Sequence, residues 1–245
     1  MTNERKVLLL TGASRGIGHA TVRRFSDAHW RIVTCSREEV PAECKRDPNW
    51  THHITADLGD PGDLDRFVAE AGNFVEGGLH ALVNNAGVSP KTPSGDRFGV
   101  LNGEIEDWHR VFHLNFFVPL VLSRAFAGPL ARGRGAVVNV TSIAGHRVHP
   151  FAGSAYSTSK AALSALTREM AVEFARLGIR VNAVAPGEIE TAMLSPATAI
   201  LLPRIPLNRL GVPADVAGTI FFLCSDDAAY VTGTEIFVNG GQHVY

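Results

Sequence analysis

The sequence predicts an α/β fold, a single doubly wound parallel sheet of about seven strands with helices on both faces. Three observations carry this expectation. Short, nearly continuous runs of Val, Ile and Leu recur along the chain, as parallel strands covered on both faces require. Stretches of helical periodicity separate these runs, and a glycine-rich turn joins the first run to the first helical stretch. The 245 residues, 45% hydrophobic and 19% charged, suffice for one domain with a core that needs no covalent staples.

In order, the strands are expected at residues 7–10, 32–34, 53–56, 81–83, 136–140, 180–184 and 236–238. The first helix runs through Phe25 and ends near Asp27-Ala28-His29, which places His29 in a left-handed cap. Two long helices are expected at about 107–127 and 157–177. The second carries an apolar stripe of Leu163, Leu166, Met170, Phe174 and Leu177. Residues 89–103, rich in Gly, Pro and charge, read as a surface loop. Residues 188–212 are apolar yet broken by Pro196, Pro203 and Pro206, the composition of a functional lid. There is no repeat or linker, so residues 1–245 form a single nucleotide-binding domain.

The formal net charge of -1 offers no basic field for nucleic acid or anionic lipid. Cys35, Cys44 and Cys224 are far apart and odd in number, which fits a reducing compartment and no zinc site. The apolar run after the first six residues is too short for a signal-peptide core, and no stretch is long enough to cross a bilayer. A cytoplasmic protein with no membrane or nucleic-acid partner is expected.

After the first strand comes Thr11-Gly12-Ala13-Ser14-Arg15-Gly16-Ile17-Gly18. Gly12 permits a backbone angle that a side chain forbids. Gly16 and Gly18 let the chain approach a pyrophosphate and pack the helix on the strand, while the helix N-terminus faces the anion. Alone, such a triplet is a weak signal; the strand before it and the helix after it point to a dinucleotide. Readers of NAD place an acid near the end of the second strand, whereas here Ser36 and Arg37 follow Thr34-Cys35. With Arg15, two guanidinium groups are available to clamp a 2′-phosphate, so NADP(H) is expected ahead of NAD(H). The alternative is that both arginines are solvated charges, with Glu38 and Glu39 close by.

Further motifs follow in order: Asp57-Leu58, Asn84-Asn85-Ala86-Gly87, Asn115, Ser142, Tyr156-Ser-Thr-Ser-Lys160, Pro186-Gly187 and Asn239-Gly240-Gly241. Over essentially its whole length the chain resembles the short-chain dehydrogenase/reductase family, a Rossmann-fold family. The tail from Tyr230 resembles bacterial 3-oxoacyl-carrier-protein reductases. The resemblance implies that Asp57 contacts the adenine edge, with a helix-start role as the alternative. It places Asn85, Ala86 and Gly87 beneath the cofactor and Pro186, Gly187 and Ile189 around the nicotinamide. It has Thr191 bond the carboxamide or a phosphate. It also implies a homo-oligomer, a tetramer or dimer built by the long helices, with Phe112, Phe116 and Phe126 as interface or as core. Two departures border the substrate cleft: the stretch from Gly87 to Trp108 and that from Ser142 to Tyr156 are both longer than usual for the family.

Tyr156 and Lys160, four residues apart, share a helix face. A phenol with a pKa of about 10 is a poor acid–base group until a nearby ammonium favours its charged form. Tyr156 then exchanges a proton with the oxygen of a carbonyl or secondary alcohol. Ser142 donates to the same oxygen, and Asn115 holds a water linking Lys160 to solvent. Without Ser142 and Asn115, Tyr156 and Lys160 would read as ordinary helix residues.

The substrate is less legible. An apolar lid (Ile189, Ala192, Met193, Leu194, Ile200, Leu201, Leu202, Leu207) suits an apolar partner, or packs over the nicotinamide. His146, Arg147 and His149 suit a polar or anionic group, or are surface residues. Arg132 and Arg134 are candidates for an acyl-carrier contact, although Val172 stands where such reductases commonly carry arginine. Reduction of a 3-oxoacyl thioester, a sugar, steroid or small-ketone dehydrogenase activity with NAD(H), and a catalytically silent NADP-binding sensor or scaffold are the three readings.

Overall fold

The computed structural model describes residues 5–44, 46–92, 95–191, 193 and 196–244, with the backbone alone for 43 and 196–199. Strand β1 (Val7–Thr11) turns into α1 (Gly16–Ser26), followed by β2 (Arg31–Ser36), β3 (Trp50–Thr55), α2 (Pro61–Val75) and β4 (Ala81–Asn84). A helical run then comprises α3 (Ile105–Phe112), a π turn (His113–Phe117), α4 (Val118–Ala125) and, after a 58° bend, α5 (Ala127–Gly133). The chain finishes with β5 (Ala136–Val140), α6 (Ser154–Ala175), β6 (Arg180–Pro186), α7 (Pro213–Cys224) and β7 (Glu235–Val238).

Seven strands pair in the order β3-β2-β1-β4-β5-β6-β7, every pair parallel. This is the expected doubly wound sheet. The strand order reverses between β1 and β4, so a crevice opens outside the carboxyl ends of those strands. Successive side chains of β1 point to opposite faces. Leu8 and Leu10 pack with Val22 and Phe25 of α1 and Val216 and Ile220 of α7. Val7 and Leu9 pack with Phe67 of α2, Leu122 of α4 and Met170 of α6. Both faces are therefore dry, which is why the central strands read as unbroken apolar runs.

The differences from expectation have local causes. Strand β3 starts at Trp50, three residues before the expected start, because Trp50 is anchored in the core by an indole N–H bond to Thr34 Oγ1 of 2.6 Å. It is an edge strand with partly exposed residues, and its Thr-His-His sequence breaks the apolar run. Helix α6 begins at Ser154, whose N–H donates to the carbonyl of Phe98 at 2.7 Å. Buried Phe98 packs with Val111 and Ala155, so the loop before α3 is pinned to the molecule by an aromatic anchor. Helix α6 ends at Ala175, leaving Leu177 beyond it and half exposed. Phe126 is enclosed in the core beneath α2, so it is packing and no interface. His29 does adopt a left-handed conformation, with φ 59°.

A polar thread crosses the core. Asn139 of β5 accepts from Asn84 Nδ2 of β4 at 2.8 Å and donates to Thr167 Oγ1 of α6 at 2.9 Å. Asn84 Oδ1 is already buried without a partner among the described residues. Replacing Asn139 by Ala would remove both bonds and leave a cavity, at about 3 kcal/mol, even though Asn84 Nδ2 keeps Ser123 Oγ at 3.3 Å and Thr167 Oγ1 keeps the Leu163 carbonyl at 2.8 Å. For a chain of this size that lowers the melting temperature by about 6–12 °C. A calorimetric drop below about 2 °C would refute this role.

Burial pushes the Cys35 and Cys224 thiols up to about 12, so neither presents a thiolate at neutral pH. Among the described residues no cluster of His, Cys, Asp or Glu is arranged to hold a metal ion. No single helix there is long and apolar enough to cross a membrane.

Candidate active site

A cavity of about 470 Å³ opens along the carboxyl ends of β1, β2, β4, β5 and β6. Every site residue expected from the sequence lines it except Asn115, which lies fully buried behind it.

At one side is the glycine turn. Gly12 has φ +71°, and a Cβ there would stand 2.8 Å from Asn85 Nδ2. Asn85 Nδ2 donates to the carbonyls of Thr11 and Gly12, both at 3.0 Å, so β4 clamps the turn. A Cβ on Gly18 would approach the Gly12 carbonyl oxygen to 2.0 Å, and only glycine allows α1 to pack this closely. Helix α1 follows Arg15 with no side-chain cap, so its first N–H groups are open to the cavity beside Ser14, Gly16 and Ile17. An uncapped helix end with positive partial charge suits a pyrophosphate.

Beyond the turn lie Ser36, Arg37, Asp57 and Leu58. The Ser36 hydroxyl is spent on the Glu38 carbonyl at 2.6 Å, which turns it away from a ligand phosphate. Arg15 reaches Glu38 at 3.4 Å in an exposed pair, the solvated alternative noted for it. Arg37 has no hydrogen-bond or ion-pair partner among the described residues. Asp57 accepts from the Gly59 N–H at 2.9 Å, while Asp60 caps α2, so Asp57 is not the helix-start residue.

At the other end stand Ser142, Tyr156 and Lys160. Ser142 ends the segment after β5 and accepts from the Ala144 N–H at 3.1 Å. Burial raises the Tyr156 phenol; the Ser142 hydroxyl opposes the rise by stabilising the charged form, and the Glu188 charge adds to it. Lys160 is 4% exposed, donates from Nζ to the Val140 carbonyl at 2.7 Å, and stands 5.8 Å from the Tyr156 ring centre. Burial lowers its ammonium to about 8. Asn115 sits in the π turn, a feature frequent at functional sites. Its Oδ1 accepts from the Val88 N–H at 2.9 Å, and its Nδ2 donates to the Val88 carbonyl and to Ser159 Oγ. Gly87 keeps open the space between Asn115 Oδ1 and Lys160 Nζ: a Cβ there would lie 3.1 and 3.4 Å from them.

Pro186 and Gly187 end β6 against the cavity. The stretch beyond them is pinched at its base by a bridge between Ile189 and Gly211. Thr191 lies against the glycine turn, since a Cβ on Gly16 would touch its Cγ2 at 3.2 Å. Within this stretch Leu201 and Ile189 are buried, Met193, Ile200 and Leu207 are exposed, and Ala192 and Leu194 lie outside the described residues.

Two expectations about substrate contacts are corrected. His146 turns away to Glu235 at 2.8 Å and Arg147 to the Gln242 carbonyl at 2.6 Å. His149 alone reaches the cavity, and there it faces a carboxylate and offers nothing to an anion. Arg132 and Arg134 end α5, which packs where β4 and β5 begin, at the sheet edge opposite the cavity. They cannot meet a carrier at its mouth.

A family profile described as Enoyl-(Acyl carrier protein) reductase matches residues 12–243. The chain belongs to the short-chain dehydrogenase/reductase family. It is 57% identical over 244 residues to Protein FixR of Bradyrhizobium diazoefficiens, covering 98% of this chain and 88% of the relative. An oxidoreductase of this family from Brucella ovis, solved with partially ordered NAD, is 51% identical, with a TM-score of 0.82 over 96% of this chain and 100% of that one. A 3-oxoacyl-[acyl-carrier protein] reductase from Brucella melitensis with bound NAD is 30% identical, with a TM-score of 0.88 over 99% of this chain and 92% of that one. This short-chain dehydrogenase/reductase also has a cleft residue that the motifs did not indicate. Glu188 stands between Gly187 and Ile189, and sequence reasoning took it only as the start of a lid. An acid directly after the Pro-Gly pair was the available signal.

Proposed function

We propose that this chain is an NADP(H)-dependent oxidoreductase acting on a carbonyl compound or secondary alcohol, with Tyr156 as general acid–base. One observation carries the reading: Ser142, Tyr156 and Lys160 share a cavity with the uncapped, glycine-lined start of α1. The nicotinamide, when bound, supplies or accepts the hydride. The chain's own residues hold the substrate and move the proton. Ser142 donates to the substrate oxygen, and Tyr156 gives that oxygen a proton or takes one from it. Lys160 supports the charged phenol by electrostatics, and Asn115 with Gly87 shapes a path for a proton-carrying water. Residues 188–212 act as the lid, with Ile189 and Thr191 over the cofactor.

Arg37, which lines the cavity and has no partner among the described residues, supports the 2′-phosphate and hence NADP(H). Glu38 on the same wall and the NAD-bound relatives favour NAD(H) as the second reading. Arg37→Ala decides between them. It is expected to raise the KM for NADPH about 10–100-fold and that for NADH much less, because only the former loses a charge-assisted bond. Equal changes for both coenzymes would favour NAD(H).

The general test is nicotinamide absorbance against ketones and acyl thioesters, in both directions and with both coenzymes. Coenzyme binding without turnover across the panel would favour the silent sensor. The sites of Arg132 and Arg134 lend no support to a carrier-bound thioester. The three dispersed cysteines suit a cytoplasmic protein. Exposed Phe117 in the π turn, Val121 on α4 and Val172 on α6 suit a homo-oligomer built on the long helices.

A further inference from the structure

One buried charge in the cleft has no part in the chemistry above. Glu188 lines the cavity with Ser142 and Tyr156, and its side chain is only 7% exposed. Its Oε1 lies 2.5 Å from His149 Nε2. The tautomer of His149 follows from its other nitrogen. Nδ1 accepts the N–H groups of Phe151 at 3.2 Å and Ala152 at 3.1 Å, so the ring proton is on Nε2 and is donated to Glu188. Protonating Nδ1 would break both backbone bonds. In this tautomer the ring is a neutral donor, and the negative charge of the pair lies on the carboxylate.

The second oxygen, Oε2, has no hydrogen-bond partner among the described residues. A carboxylate this enclosed with one neutral donor is costly unless something else completes it. The cavity that Glu188 lines offers space for that. We propose that Glu188, oriented by His149, is a specificity-determining residue. It accepts a hydrogen bond from a hydroxyl or ammonium group carried beside the reacting carbonyl, and it turns away substrates with a carboxylate or phosphate there. This rests on the hydride-transfer reading above.

Lys91 is a competing charge that lines the same cavity. It is exposed, and its Nζ already donates to the Phe151 carbonyl. Solvent screens it more than it screens an enclosed carboxylate, and the buried Lys160 ammonium is turned to the Val140 carbonyl, so the charge nearest to Oε2 of Glu188 is its own.

The test is Glu188→Gln, which keeps the length and an oxygen for His149 but removes the charge. Wild type and variant are assayed at saturating coenzyme with four ketones that share one ring: acetophenone, α-hydroxyacetophenone, α-aminoacetophenone and phenylglyoxylate. The kcat/KM ratio of the amino or hydroxy compound to acetophenone is expected to fall about 10–100-fold in the variant, and that of phenylglyoxylate to rise. Ratios that stay constant would leave the pair as a staple between two loops and overturn the proposal. Failure of wild type to reduce any ketone would count against the hydride-transfer reading alone. Selectivity is then read from the dissociation constants of the four compounds for the coenzyme complex, by nicotinamide fluorescence. Constants that do not order by charge in the wild type, or that keep their order in the variant, overturn the proposal.

Discussion

Tyr156→Phe is expected to lower kcat by at least about 10³-fold, because it removes the one proton donor placed to serve the substrate oxygen. The loss is confined to chemistry. The ring that packs at the start of α6 is retained, and the glycine turn, Arg37 and Asp57, the proposed contacts to the distal part of the coenzyme, are untouched. The dissociation constant for NADPH should therefore change less than about threefold, whereas kcat and kcat/KM fall together, the signature of an interaction made in the transition state. Absorbance decay at saturating substrate measures the loss of turnover, and fluorescence titration measures the dissociation constant. A variant retaining kcat within about tenfold of wild type would remove Tyr156 from the mechanism.

Lys160→Met is expected to have two opposed effects: turnover lost and melting temperature raised. Burial alone lowers the Lys160 ammonium from 10.5 to about 8. At about 1.4 kcal/mol per pKa unit, keeping it charged in the folded state costs about 3 kcal/mol. Losing the bond to the Val140 carbonyl takes back about 1 kcal/mol. A net gain of about 2 kcal/mol corresponds to about 4–8 °C for a chain of this size. The sign with pH follows from the depressed value. Between about 8 and 10.5 the unfolded chain binds the proton that the folded chain has released, so wild-type stability gains from rising pH there and the advantage of Lys160→Met shrinks. Activity runs the other way. The ammonium that supports Tyr156 is lost as pH rises through about 8, so carbonyl reduction by the wild type should decline above that pH. A variant that melts below wild type at pH 7 would contradict the account of Lys160 as a charge held at the expense of stability.

The parts of the site that could be read in advance are those set by short-range spacing. The four-residue step from Tyr156 to Lys160 places both on one turn of helix wherever that helix lies. The glycines after β1 mark a close approach that a side chain would block. Polar edge strand β3 begins earlier than periodicity indicates, because its burial depends on Trp50 reaching Thr34 across the sheet, a contact that periodicity does not encode. Arg132 and Arg134 were placed at the cleft mouth, although α5 packs at the beginnings of β4 and β5. Which end of a parallel sheet a helix terminus meets depends on the path of the crossover.

By itself, the sequence determined the alternation of strands and helices, the phosphate turn, and the spacing of the phenol and the amine, because apolar periodicity and glycine sterics act over a few residues. Only the tertiary structure decided which charges face the cavity. His149 and Glu188 are 39 residues apart, and their bond exists because the ends of β5 and β6 are neighbours in the sheet. Arg15 pairs with Glu38, while Arg37 has no partner among the described residues. Charge pairing depends on distances through space, and those are set when the strands take their order.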